Sequence, residues 1–137
     1  MKPITTIDLG TSGGHLLLDI ARMVSAPSTT NLSLDELATL LSGADVTLGG
    51  SVLAESTTEI LEASAKIART LEAHEPKIKG IILHMCVAPE SLRYGLISKM
   101  EAPLHQILGR GVEIINCVSQ DTHLPAETFR ISFLACG

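Results

Sequence analysis

Uncharged polar and acidic side chains crowd together in one stretch, Thr29-Thr30-Asn31-Leu32-Ser33-Leu34-Asp35-Glu36-Leu37. Its candidate site residues are Asn31, Ser33, Asp35 and Glu36. The stretch reads as a polar loop that turns into a helix running to about Leu41, with Gly43 as its stop. Asp35 and Glu36 then fall in the first helical turn, where carboxylates complement the positive end of the helix dipole. Asn31 or Ser33 can cap that helix by accepting a hydrogen bond from a first-turn N–H.

Other residue types capable of chemistry are scattered. Cys86, Cys117 and Cys136 fall near the ends of three predicted strands, so neighbouring strands could bring the thiols together. A three-cysteine metal site would need a fourth ligand such as His84 or His123. Buried structural cysteine is the ordinary alternative. The five histidines form no H-E-x-x-H motif or close pair. Asp121-Thr122-His123 could supply half of a general-base arrangement, but no nucleophile is visibly paired with it. Glu113 and Arg130, on strands expected to be adjacent, suggest a cross-strand ion pair. Gly10-Thr11-Ser12-Gly13-Gly14 precedes a short apolar helix, a setting that can cradle phosphate. The Walker lysine and a preceding hydrophobic strand are both missing, so it reads as a flexible entry to the helix. The residues therefore predict no catalytic set, no cofactor and no metal.

The elements that must position these groups follow from periodicity. Residues 1–28 read as an N-terminal extension with a short helix, closed by Pro27, and residues 29–137 as a single domain. Val46 to Leu53 predicts a strand, with a bulge or bend at Gly49-Gly50. Ser56-Thr57-Thr58-Glu59 is a capping-box pattern. It opens a helix whose face carries Ile60, Leu61, Ser64, Ile67, Ala68 and Leu71. The continuous apolar run from Lys79 to Val87, with His84 inside it, predicts a strand covered on both faces. Leu92, Leu96, Met100, Leu104 and Ile107 are spaced for a second helix. Gly95 and Pro103 lie within it and predict a late start, a kink or a break. Val112–Val118 and Thr128–Leu134 read as the last strands, which a short loop could join as an antiparallel pair. The fold class expected is an α/β sandwich: a β-α-β-α-β-β mixed sheet with helices packed on it.

Composition narrows the function. The chain has 137 residues, enough for one domain that buries roughly two-thirds of its unfolded surface. Apolar residues make up 45% of it but aromatics only 2%, so the core is aliphatic and stacking platforms for bases or sugars are scarce. A net charge of −5 leaves no basic stripe to neutralise phosphates, which argues against nucleic acid as a partner. No run approaches the ~20 apolar residues of a membrane span, and the first residues do not resemble a signal peptide. Three cysteines without short spacing suit a reducing compartment, so a cytoplasmic location is expected.

The order of elements, together with particular residues, resembles the C-terminal domain of the bacterial tubulin homologue FtsZ. Gly111-Val112-Glu113-Ile114-Ile115-Asn116-Cys117, followed by Thr128-Phe129-Arg130-Ile131-Ser132-Phe133-Leu134-Ala135-Cys136-Gly137, is similar to that family's closing strands. Lys79-Gly80-Ile81-Ile82-Leu83-His84 is similar to its middle strand. Gly49-Gly50-Ser51-Val52 is similar to its glycine-containing strand. The resemblance runs from about Asn31 onward.

On this resemblance, Asn31–Leu37 corresponds to the loop by which one subunit of the family reaches into the nucleotide site of the next. The family pattern there is N-x-D-x-x-D, and its carboxylates orient the attacking water. Asn31 matches, Ser33 stands in place of the first Asp, and Glu36 stands in place of the second with Asp35 beside it. Ser33 carries no charge, and Glu36 holds its carboxylate one methylene further out. Displacements of that size can cost orders of magnitude in rate. The family's phosphate loop, G-G-G-T-G-T-G, has no counterpart in the 137 residues.

The resemblance thus implies a stand-alone FtsZ-type domain without GTPase activity of its own. Its work would be protein association, with itself as a homo-oligomer or with an FtsZ- or tubulin-type partner, in the setting of cell division. Asn31, Ser33, Asp35 and Glu36 would form an inter-subunit contact loop, as an alternative to a plain helix cap. A different class of function is a small oligomeric enzyme or ligand-binding module with a site between subunits. For that reading the groups of interest are Arg93, Arg110, Arg130, His84 and Glu113.

Overall fold

The computed structural model describes residues 5–6, 28–30, 47–73, 78–109 and 111–137. Among them, in chain order, are β1 (Thr5–Thr6), β2 (Ser28–Thr30), β3 (Thr47–Ala54), α1 (Thr57–Glu72) and β4 (Gly80–Val87). A 3-10 turn (Pro89–Ser91), α2 (Leu96–Leu108), β5 (Glu113–Gln120) and β6 (Phe129–Cys136) follow. The strands form one mixed sheet in the order β1-β3-β6-β4-β5-β2. The α/β architecture expected from the sequence is the one observed, with α1 and α2 packed on one another and on the same side of the sheet.

Strand β6 decides the topology. It pairs antiparallel with β3 along one edge and with β4 along the other, through eight residue pairs each. Strand β4 is parallel to β5. The final strand is therefore inserted between β3 and β4, and the expected pairing of the last two strands does not occur. The reason is burial: all eight positions of β6 are buried. Between β3 and β4 every backbone N–H and C=O of such a strand can find a ladder partner, whereas beyond β5 one edge would lack one. The predicted Glu113–Arg130 pair falls with it. Glu113 stands opposite Gly80, whereas Arg130 stands opposite Cys86, six residues further along β4.

The glycines of β3 do not make the expected bulge. Gly49 and Gly50 pair with Leu134 and Phe133 in unbroken register. They thus stand beside two large buried side chains, where a missing side chain leaves room.

Helix α1 begins as its sequence requires. Ser56 is the N-cap, and its Oγ accepts from the Glu59 N–H at 3.2 Å. Glu59 Oε2 in turn accepts from the N–H of Glu55, one residue before the cap, at 2.5 Å. Ile60, Ala63, Ser64, Ile67, Ala68 and Leu71 are buried, but Leu61, expected on that face, is 40% exposed. One residue on from Ile60 is a 100° turn of the helix, enough to carry Leu61 off the stripe. Within the stripe Ser64 Oγ is fully buried and, among the described residues, has no hydrogen-bond partner. Ser64→Ala removes that orphaned hydroxyl and adds helix propensity, so it is expected to stabilise the fold by about 1 kcal/mol. A urea titration monitored by circular dichroism reads this as a higher midpoint at unchanged slope.

Helix α2 starts late, at Leu96, because Gly95 before it adopts a left-handed φ of 89°. Pro103 is buried inside the helix, which runs on to Leu108. Leu92, expected in the helix, lies before it as the C-cap of the 3-10 turn. Asn116 of β5 donates a short hydrogen bond to Glu101, tying α2 to the sheet.

Candidate functional site

The face of the sheet opposite the helices carries most of the buried polar groups. Strand alternation places Ser51, Ser132, His84 and Cys117 side by side in one row across β3, β6, β4 and β5. The next row is Leu53, Arg130, Cys86 and Ser119. Ser51 Oγ and Ser132 Oγ are 2.9 Å apart, and His84 Nε2 is 2.8 Å from Ser119 Oγ. Cys86 Sγ lies 3.8 Å from His84 Nδ1 and accepts from Arg130 Nη2 at 3.5 Å. Arg130 Nη2 also faces Asp121 Oδ2 at 3.7 Å, with both side chains under 10% exposed (6% and 7%). The other Asp121 oxygen, Oδ1, accepts from the His123 N–H at 2.9 Å.

The Ser119–His84 spacing is that of a nucleophile and its base. Both side chains have no solvent exposure, so a substrate cannot reach them in this conformation. The row satisfies polar groups inside a covered face, as buried polar groups require. The contact between Asp121 and His123 runs through the His123 backbone N–H, so the segment considered for half of a general-base arrangement forms a turn there. The His84–Ser119 pair was not visible in the sequence. It becomes visible only once β4 and β5 are known to be parallel and in register.

The three thiols do not converge. Cys136 stands opposite Gly80, while Cys86 is six residues along the same strand, about 20 Å away at the rise of a β-strand. Because β6 is antiparallel to β4, the end of one lies at the start of the other. Among the described residues no group of three or more His, Cys, Asp and Glu side chains is placed to hold a metal ion. Cys117 donates to Leu83 O at 3.6 Å and Cys136 to Gly80 O at 3.7 Å. Burial, with a smaller contribution from Cys86, pushes the Cys117 thiol up from 9.0 to about 12. Burial, and then Glu113, also raises Cys136.

The raised Cys117 value has a sign. The folded state holds its proton more tightly than the unfolded chain does, so the stabilisation is complete below pH 9.0. It is lost as pH rises from 9.0 towards about 12. Cys117 in the folded protein is expected to resist alkylation at pH 8 and to react once denaturant is added. Mass spectrometry of iodoacetamide-treated samples checks this.

A second feature lies where α2 begins. Leu92, Arg93, Tyr94, Leu96, Ile97 and Val118 line much of a pocket of about 640 Å³. Its rim is braced by Arg93, whose Nη1 and Nη2 donate to the two Glu127 carboxylate oxygens at 2.8 and 2.6 Å. That hydrogen bonding holds the Glu127 carboxyl below its ordinary value and raises the Arg93 guanidinium. Glu127 has a φ of 60°, uncommon for a residue with a side chain. Its N–H is held by Ser91 Oγ at 2.8 Å.

Asn31, Ser33, Asp35 and Glu36 lie outside the described residues. Thr30, which precedes them, pairs with Val118 in the sheet, and Val118 also lines the pocket. Arg110 is outside the described residues too. Of the other groups considered for a ligand site, Arg93 is on the surface, while Arg130 and His84 are in the buried rows. Glu113 is exposed at the start of β5. Among the described residues Arg130 and His84 share a contact with Cys86 Sγ, and Arg93 and Glu113 stand apart from them.

No family model and no curated protein matches the sequence. Solved structures do match the fold. A mutant of FtsZ from M. jannaschii superposes with a TM-score of 0.74 and 15% identity, covering 90% of this chain and 37% of that one. An empty FtsZ dimer from M. jannaschii gives 0.70 and 14%, covering 90% and 36%. No helix among the described residues is long and apolar enough to cross a membrane. The chain spans a little over a third of the length of these FtsZ chains, and over that span its fold is FtsZ-like.

Proposed function

We propose that this chain works in protein association, with a second copy of itself or with an FtsZ- or tubulin-type partner, and does not hydrolyse GTP on its own. The observation that carries the reading is the FtsZ-like architecture over 90% of the chain at a TM-score of 0.74. One of the similar structures is an FtsZ dimer, so the fold is compatible with pairing. Residues 29–137 are the associating domain, corresponding to the C-terminal part of FtsZ, and residues 1–28 are an extension from which Thr5–Thr6 and Ser28 join the domain's sheet. Asn31, Ser33, Asp35 and Glu36 serve as a contact loop. Ser33 supplies no charge to polarise water, and Glu36 supplies one from a longer arm. The site of action is the cytoplasm, in cell division.

The test has two parts. Co-sedimentation with FtsZ polymer, with and without GTP, measures association, and phosphate release by the purified chain measures hydrolysis. Pelleting with polymer or self-association, together with no phosphate release, is the expected result. GTP turnover above background that disappears in Glu36→Ala would sink the proposal.

A further inference from the structure

We draw no further inference here: the strongest candidate, the largely aliphatic pocket at the start of α2 between Leu92, Leu96, Ile97 and Val118, has Arg93 on its wall already paired with Glu127, and nothing in the structure shows what covers it.

Discussion

Phe133→Ala is expected to destabilise the protein by about 3–5 kcal/mol, towards the upper end for a core deletion. Phe133 is fully buried in the middle of β6, on the face that carries both helices. Its cross-strand neighbours are Gly50 on β3 and Leu83 on β4. The cost of removing a ring depends on whether the surroundings collapse into the void. Gly50 has no side chain to move into it, and the two ladders of β6 hold the backbone in place. The loss compares with a total stability of about 5–15 kcal/mol for a domain of this kind. Urea unfolding should show a much lower midpoint at an unchanged slope. A loss below about 1 kcal/mol would mean that the sheet closes over the gap instead of holding it open.

Arg130→Met is expected to cost a similar amount, about 3–5 kcal/mol, by a different mechanism. Methionine preserves much of the aliphatic stem. It withdraws the guanidinium from Asp121, a carboxylate that is itself only 7% exposed. A buried charge that loses its counter-charge is far more costly than the pair was stabilising. The double variant Arg130→Met with Asp121→Asn should therefore recover a substantial part of the loss. The cycle of single and double variants, measured by denaturant unfolding, isolates the coupling. If the double variant were as unstable as the sum of the two singles, the ion pair would not be the cause.

Both predictions depend on the position of β6, and that position was the least legible feature of the chain. The elements from β3 onward were plain in the sequence, whereas β1 and β2 were not foreseen, because Thr5–Thr6 and Ser28–Thr30 are short polar segments without an apolar alternation. The apolar run through Ile81, Ile82 and Leu83 marked a strand covered on both faces, and β4 is buried at every position. Ser56 and Glu59 marked the start of α1. Gly95 marked a delayed start for α2, and Leu96 is its first residue. These are local signals, each decided by residues within a turn or two of one another. The resemblance to FtsZ was legible for the same reason, since it rested on the order of such segments, and the fold agrees.

Strand pairing is not local. The alternation in Phe129–Leu134 is the same whether that strand lies beyond β5 or between β3 and β4. The sequence placed Arg130 beside Glu113, and the fold placed it beside Cys86 and near Asp121. His84 and Ser119 are 35 residues apart, and nothing about either one marks the other. The cysteines show the same limit, because sequence position near a strand end does not say which edge of the sheet that end occupies.

The amino-acid sequence by itself determined the strands and helices from β3 onward and the aliphatic character of the core. It also carried an acidic charge balance that disfavours nucleic acid. Periodicity, capping and composition act over short distances along the chain, so they can be read from it. Only the tertiary structure decided that β6 fills the centre of the sheet and that Ser51, Ser132, His84 and Cys117 share one buried row. It alone set Tyr94 outside the core, on the rim of a pocket. Each of these depends on hydrogen-bond register and packing between segments far apart in sequence, where the gain in burial belongs to the assembled sheet and to no single segment.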